Sequence, residues 1–356
     1  MSIIKYIKYI GMDVHKLVTV IVVLNEQGQV ISHTKVKTDA AIIRDFFRGL
    51  SGTTHVVLEE GSWSAWLYKL LKPLVTSVTV CETRHNKLIG AGNKSDDEDA
   101  ETLARLLRLG EIKAVYKGDD QQQQLRDLFR AYDNLVQDAT RVQNRLKAIY
   151  RGRGIDCTGC SLFRPDQRLD WLAKLPEQAA RFRTKTLLKQ LDTLQELRKE
   201  AKAKLLAESK KSADYSLLLK LPGIGPVRAA TLLAIVGRPE RFRTKRQFWP
   251  YCGFAVVTHT SADYIDIGGR ILKQQKKAST RGLNRNHHPR LKAIFKGATL
   301  TALQNETWRA YYDGLISRGT KPELARVSVA RKLAAVTLAV WQRREEYDQN
   351  KVFAKA

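Results

Sequence analysis

Four carboxylates occupy positions in the sequence that suit a metal-dependent site for phosphoryl transfer. Asp13 ends an apolar segment, Glu59 ends the apolar residues 56–58, and Asp96 and Asp99 stand near the start of a helical pattern. Residues three apart share a helix face, so Asp96 and Asp99 can point to one place. Carboxylate oxygens suit the hard cation Mg²⁺, and two such ions can stabilise the attacking and leaving oxygens of a displacement at phosphorus. The sequence therefore predicts a Mg²⁺ site formed by these four residues.

Two neighbouring acidic residues compete with these assignments. Glu60 follows Glu59, and Asp97 follows Asp96. An acidic residue in the first turn of a helix commonly serves only to complement the helix dipole. The end of the strand favours Glu59, and the three-residue spacing to Asp99 favours Asp96.

The segments around these carboxylates predict a sheet that could gather them. Residues 8–13, 17–24 and 30–37 are rich in Val and Ile and predict three strands. Asp39 then predicts the N-cap of a helix, which is followed by a strand at 55–59, a helix at 65–71, a strand at 77–82 and a helix at 96–109. The order β-β-β-α-β-α-β is that of the RNase H-like fold, in which carboxylates at strand ends and on a closing helix surround metal ions. The fold class expected for residues 1–118 is therefore α/β.

C-terminal to this domain the sequence predicts a long helical arm. Apolar residues from 125 to 149 recur at alternating intervals of three and four, which is a heptad pattern. A second helix repeats the spacing less strictly from 187 to 205, and residues 152–165 predict the connecting loop. Such helices pair as an antiparallel arm or as an oligomer interface, and the spacing alone favours neither. We assign residues 119–212 to this coiled-coil arm and residues 213–356 to a mainly helical C-terminal domain.

Nearly all of the excess positive charge lies C-terminal to the first domain. The chain of 356 residues has a formal net charge of +26, and residues 1–110 contain 14 Lys and Arg against 12 Asp and Glu, which leaves +24 beyond residue 110. Such a surplus attracts nucleic acid, because each neutralised phosphate releases condensed counterions. No acidic residue occurs from 267 to 305. The basic side chains of this phosphate-binding candidate are Arg270, Lys273, Lys276, Lys277, Arg281, Arg285, Arg290, Lys292 and Lys296.

The composition argues against several other classes of protein. The longest apolar runs are shorter than the roughly 20 residues that span a bilayer, and the N-terminal segment has lysines without a small-residue cleavage site. We therefore expect a cytoplasmic protein with no membrane partner. Cys157 and Cys160 form a single CxxC motif among four cysteines. A zinc site needs a second pair of ligands, so we expect incidental thiols.

Residues 221–226, with the sequence LPGIGP, separate two helical patterns. Two glycines around a branched residue resemble the hairpin of helix-hairpin-helix modules, in which backbone amides face a DNA phosphate without reading sequence. A tight turn between two core helices has the same requirements. Both interpretations remain open at this point.

Taken together, these motifs resemble those of the DEDD insertion-sequence transposases, the IS110 family, which is related to the Piv-type DNA invertases. The matching segments are GMDVHK at 11–16, VLEEG at 57–61, KSDDEDA at 94–100, LPGIG at 221–225 and the region 248–254. The resemblance covers nearly the whole chain in the right order. It implies a RuvC-like N-terminal domain, a coiled-coil insertion, and a C-terminal transposase domain whose serine becomes covalently joined to DNA.

The same resemblance implies partners and a nucleophile. It implies donor and target DNA and guidance by a structured noncoding RNA, the bridge RNA; we also expect a homo-oligomer, a dimer or a tetramer. The family serine follows a glycine by eight residues, which leads from Gly253 to Ser261. Its hydroxyl would attack the scissile phosphate and give a phosphoserine intermediate. Ala262 stands where the family usually has glycine, and Ser279 is the alternative nucleophile.

Two other functions are compatible with these residues. A structure-selective nuclease of the RuvC-like Holliday-junction type would use the same carboxylates with water as the nucleophile and would need no serine. A nucleic-acid-binding scaffold would carry the same basic surface with inert carboxylates, and it would show no Mg²⁺-dependent strand cleavage.

Overall fold

The computed structural model describes residues 6–82, 95–259, 264–267, 270–273 and 279–353. The chain divides into two compact units, Met1–Gly118 and Asp119–Ala356. No helix in the described part of the chain is long and apolar enough to cross a membrane.

In its described residues the first unit has a five-stranded sheet and three helices, and their order is the one that the sequence predicts. The elements are β1 (Ile7–Val14), β2 (Val18–Leu24), β3 (Val30–Lys37), α1 (Ala40–Arg48), β4 (Thr53–Glu59), α2 (Ser64–Leu71), β5 (Ser77–Cys81) and α3 (Asp96–Leu109). The strands lie in the order β3-β2-β1-β4-β5. The pairs β1–β2 and β2–β3 are antiparallel, whereas β1–β4 and β4–β5 are parallel.

Alternating side chains bury both faces of this sheet, because successive residues of a strand point to opposite sides. Met12 and Leu58 pack in a cluster that also contains Ile43 of α1 and Leu67 of α2. The other face packs against α3: Val20, Val22 and Leu24 form a cluster with Ala100 and Ala104, and Val57 packs with Leu103. Helices α1 and α2 therefore cover one face of the sheet and α3 covers the other.

The second unit is mainly helical. Its elements are α4 (Asp120–Arg151), α5 (Arg168–Ala173), α6 (Gln178–Ser209), α7 (Ala213–Leu219), α8 (Pro226–Val236), α9 (Lys245–Tyr251), β6 (Val256–His259), β7 (Tyr264–Ile267), β8 (Arg270–Lys273), β9 (Ser279–Leu283), α10 (Pro289–Ala302), α11 (Glu306–Ser317), α12 (Pro322–Arg343) and α13 (Gln349–Phe353). The sheet of the first unit followed by these helices confirms the predicted α/β plus α class. The four short strands, paired β6–β9 and β7–β8, are not predicted by the apolar pattern.

Helices α4 and α6 form an antiparallel pair. The last turns of α4, with Val142 and Leu146, share a cluster with Leu188 and Leu191 of α6. The first turns of α4, with Leu125, instead belong to a cluster that contains Leu205 near the end of α6. That second cluster is the core of the C-terminal helices, so the base of the arm is built into it.

The LPGIGP turn before α8 packs in this core. Leu221 and Ile224 are buried, and Gly223 has a φ of +72° with no room for a side chain beside the backbone of Ala298 on α10. The side chain of Arg228 donates to the carbonyl oxygen of Gly223 over 2.6 Å. These contacts give the turn a packing role between helices.

Candidate functional site

The register of β1 and β4 brings the first two predicted carboxylates to one edge of the sheet. Met12 lies opposite Leu58 in this parallel pair, so Asp13 and Glu59 follow at the same level on adjacent strands. Met12 and Leu58 face α1 and α2. Because side chains alternate along a strand, Asp13 and Glu59 belong to the opposite face, which α3 covers.

Helix α3 approaches this face closely enough for its first turn to reach Asp13. The hydroxyl of Ser95 caps the helix and accepts from the amide of Glu98 over 3.2 Å. A methyl group on Gly11 would overlap the carbonyl oxygen of Ala100, so the helix and β1 touch backbone to backbone. Asp96 and Asp99 lie in the turn that precedes this contact.

A histidine joins two of the carboxylates. The Nε2 atom of His15 lies 2.8 Å from Oδ2 of Asp13 and 3.3 Å from Oδ1 of Asp96. One ligand atom from each of these three residues falls within 4.8 Å of the others. His15 has no role among the residues predicted from the sequence, although its position two residues beyond the strand-end aspartate is a usable signal.

The pKa values in this cluster reflect several carboxylates that lie close to the imidazole of His15. Burial raises the pKa of Asp13, the hydrogen bond and the charge of His15 lower it, and the charges of Asp96 and Asp99 raise it. The hydrogen bond and the charge of Asp13 in turn raise the pKa of His15. Asp99 thus acts on Asp13 through its charge. A divalent cation with oxygen ligands would fit this cluster, because it would offset the repulsion between the carboxylates.

Glu59 and Asp99 are not in the three-residue group that the described residues form around His15. Both side chains are half-buried.

The two competing neighbours, Glu60 and Asp97, each lie close to a basic side chain. Glu60 Oε1 lies 3.6 Å from Nζ of Lys117.

Asp97 is held on the outer side of α3. Its Oδ1 atom lies 3.2 Å from Nε2 of His33 and 3.0 Å from Nζ of Lys35, both on β3. The hydrogen bond from Lys35 is the main reason that the pKa of Asp97 is lowered. This contact fastens α3 to the edge of the sheet and turns Asp97 toward β3, whereas Asp96 contacts His15.

The predicted basic stretch is only partly open. Arg270 on β8 and Arg285 before α10 are exposed. Arg290 differs from expectation, because it is half-buried and its Nε lies 2.7 Å from Oδ1 of Asp133 on α4. This internal ion pair occupies a side chain that the charge pattern assigned to phosphate. The backbone of Lys273 belongs to β8 and that of Arg281 to β9, Lys292 and Lys296 belong to α10, and Lys276 and Lys277 lie outside the described residues.

The two candidate serines lie between and on the short strands. Ser261, in the segment between β6 and β7, lies outside the described residues. The backbone of Ser279 opens β9 and pairs with His259 of β6. Gly253, from which Ser261 is counted, has a φ of +75°, and a side chain there would come within 2.6 Å of the His287 ring. That turn therefore requires glycine.

Comparison with known proteins places these features in one class. Residues 10–152 match a family model for DEDD transposases of the IS110 type, and residues 215–313 match the model described as transposase IS116/IS110/IS902 family. A protein of Pseudomonas aeruginosa named as a probable family 20 transposase is 25% identical over 264 residues, which is 73% of this chain and 77% of its own. The transposase for insertion sequence element IS1111A of Coxiella burnetii is 23% identical over 262 residues, 73% of this chain and 71% of its own.

The class of protein is therefore a DNA transposase. The chain belongs to the IS110 family of DEDD-type insertion-sequence transposases. Its substrate class follows from the family: it acts on DNA.

Proposed function

We propose that this transposase cleaves and rejoins DNA strands with an RNase H-like, RuvC-like N-terminal domain that holds Mg²⁺. The observation that carries the proposal is the meeting of Asp13 at the end of β1 with Asp96 at the start of α3. The topology supports it, since antiparallel β1, β2 and β3 are followed by parallel β4 and β5 and are covered by α3. This is the arrangement that would collect strand-end and helix carboxylates.

Asp13, Glu59, Asp96 and Asp99 would hold the metal. Their oxygens are the donors that Mg²⁺ prefers. Burial raises the pKa of Asp13, and the charges of Asp96 and Asp99 raise it further, so a bound cation would favour the ionised carboxylates. When bound, Mg²⁺ would stabilise the negative charge that develops on the phosphate oxygens. His15 would be a positioning residue, because its 2.8 Å contact fixes the Asp13 carboxylate.

The nucleophile in this proposal is Ser261. Its Oγ would form a bond to the scissile phosphorus, the bond from phosphorus to the deoxyribose oxygen would break, and that oxygen would leave as a hydroxyl. Attack by the hydroxyl of another strand would reverse these steps, rejoin the DNA and release the serine. The support for Ser261 comes from its spacing to Gly253, and Ser279 remains the alternative.

The partners in this proposal are donor DNA, target DNA and a bridge RNA that selects them by base pairing. The +24 charge beyond residue 110 supports two polyanions. The exposed Arg270 and Arg285 would contact phosphates. The protein would act as a homo-oligomer, a dimer or a tetramer.

A strand-cleavage assay tests the metal site. We expect Asp13→Asn to abolish Mg²⁺-dependent cleavage while the circular dichroism spectrum stays that of the wild type, because a ligand is lost and no core contact changes. Asp45→Asn is the matched control, since Asp45 is an exposed carboxylate of α1 and should be dispensable. Full activity of Asp13→Asn would contradict the proposal.

A further inference from the structure

A groove in the second unit runs along α12 and has no part in the chemistry proposed above. Its volume is about 690 Å³. Ala335 and Ala339 line it from successive turns of α12, and their small side chains leave the space above the helix open. Trp249 of α9 and Tyr311 of α11 contribute aromatic side chains to the lining.

Three cations lie in this groove against the aromatic rings. The guanidinium carbon of Arg331 lies 4.4 Å from the ring centroid of Trp249, and Nζ of Lys245 lies 5.7 Å from the same ring. Nζ of Lys332 lies 4.6 Å from the ring centroid of Tyr311. Within the described part of the chain, none of the three cations has a carboxylate oxygen within 4.0 Å.

The positive charges of these three side chains are not neutralised by other side chains of the groove. Burial lowers the pKa of Lys332 and the charge of Lys245 lowers it further. The Nε atom of Arg331 is buried and has no hydrogen-bond acceptor among the described residues. Because the three cations have no carboxylate partner among the described residues, an anionic group from outside the chain could bind at the open side of the groove.

The acidic side chains of the lining do not neutralise these cations. Glu346 pairs with Lys220, and Glu345 lies 3.9 Å from Lys351. The third acid of the lining, Asp348, accepts from the amide of Asn350. In the described part of the chain, none of these acids forms an ion pair with Lys245, Arg331 or Lys332.

The chemistry of the groove fits an unpaired nucleotide. Lys and Arg side chains bind phosphate, and aromatic side chains stack on bases whose faces are free. A base in a duplex is stacked on its neighbours and cannot offer its face to a recessed ring. The family acts on DNA, so the expected ligand is a DNA strand and not an RNA strand. We propose that this groove binds a single-stranded DNA segment, with a backbone phosphate at Lys245, Arg331 and Lys332 and bases along Trp249 and Tyr311.

Binding of a fluorescein-labelled oligothymidine to the full chain tests this assignment. The assay contains EDTA, so a failure of the carboxylate or serine assignments would leave its result unchanged. The test variant carries Lys245→Gln and Lys332→Gln. The control carries Lys321→Gln and Arg326→Gln, which remove the same charge from exposed positions at the start of α12.

Each phosphate contact contributes about 0.7 to the slope of log K against log salt for a single strand. Because the two lysines contact one phosphate, we expect the slope of the groove variant to fall by up to about 0.7 relative to the control, with duplex binding equal in the two proteins. Equal slopes in the two variants would overturn the proposal. An equal loss on duplex DNA, or a loss seen only with oligouridine RNA, would overturn it as well.

Photo-crosslinking keeps the assignment testable if the groove variant does not fold. Wild-type protein is irradiated with a strand that contains bromodeoxyuridine. We expect adducts on the peptides that contain Trp249 or Tyr311. Adducts confined to other peptides would show that the strand lies elsewhere.

Discussion

Gly11 of β1 packs directly against the backbone of Ala100 in α3. A methyl group on Gly11 would overlap the carbonyl oxygen of Ala100 and come within 2.7 Å of the amide nitrogen of Ala104. Gly11 stands two residues before Asp13, and Ala100 one residue after Asp99. The distance between β1 and α3, and hence the meeting of the carboxylates, depends on the missing side chain of one glycine.

We therefore predict that Gly11→Ala destabilises the protein by about 2 kcal/mol and abolishes cleavage, because β1 and α3 must separate. Urea unfolding followed by circular dichroism measures the first effect and strand cleavage the second. Gly61→Ala is the control, since a methyl group at Gly61 meets nothing within 4 Å. Unchanged stability and activity in Gly11→Ala would show that the contact is not tight.

Matched pairs of neighbouring carboxylates test the register of the metal site. We expect Glu59→Gln and Asp96→Asn to lose Mg²⁺-dependent cleavage, whereas Glu60→Gln and Asp97→Asn keep most of it. The reason is that Asp97 is turned toward Lys35 whereas Asp96 lies beside Asp13, and that Glu59 belongs to the face of the sheet that α3 covers. The measurement is the initial cleavage rate across a Mg²⁺ titration. If Glu60→Gln were inactive and Glu59→Gln active, the assignment would move by one residue.

The covalent intermediate separates a serine recombinase from a water-using nuclease. We expect Ser261→Ala to bind DNA as the wild type does and to form no protein–DNA adduct, because only the nucleophile is removed. Adducts are trapped on a nicked substrate and separated by denaturing electrophoresis. Ser279→Ala is the matched variant and should still form the adduct. Cleavage by Ser261→Ala at the wild-type rate would favour the RuvC-type nuclease.

Guidance by a bridge RNA can be tested separately. We expect the protein to copurify with a discrete RNA encoded beside its gene, and we expect changes in the guide loops of that RNA to redirect recombination. Sequencing of the bound RNA and recombination on altered sites provide the measurements. Recombination of the same sites by nuclease-treated protein would exclude a guide.

An ion pair in the arm predicts that the stability of α5 depends on pH. The guanidinium of Arg168 donates to both carboxylate oxygens of Asp192, over 2.7 and 2.6 Å, and this pairing is the main reason that the pKa of Asp192 is lowered. A lowered pKa adds stability above the unfolded value of about 3.9, and that stability is lost as the pH falls through the folded value.

Because the Asp192 side chain is nearly half exposed, we expect a contribution of at most about 1 kcal/mol. At neutral pH, amides of α5 should exchange up to about fivefold faster in Asp192→Asn than in the wild type. The difference should shrink as the pH falls below about 4 and vanish below the lowered folded pKa of Asp192. Equal exchange at neutral pH would mean that the ion pair does not hold α5.

The local patterns of the sequence were sufficient for most elements of the first unit. Asp39 caps α1 as its residue type predicts, accepting from the amides of Ala41 and Ile42. The heptad pattern predicts α4, but Phe129 is buried where the pattern selects Leu128, which is only partly buried. The short strands β6 to β9 escape prediction because each has only four or five residues, which is at the lower limit at which alternation can be recognised.

The sequence by itself determined the strand-end aspartate, the acidic first turn of α3, the heptad arm and the excess of positive charge. These features depend on residues that are neighbours in the chain. Only the tertiary structure decided that His15 joins Asp13 to Asp96, and that Arg290 pairs with Asp133 instead of remaining open to phosphate. Arg290 and Asp133 are 157 residues apart. Side-chain pairs at such separations are set by packing of whole helices and strands, which local spacing does not encode.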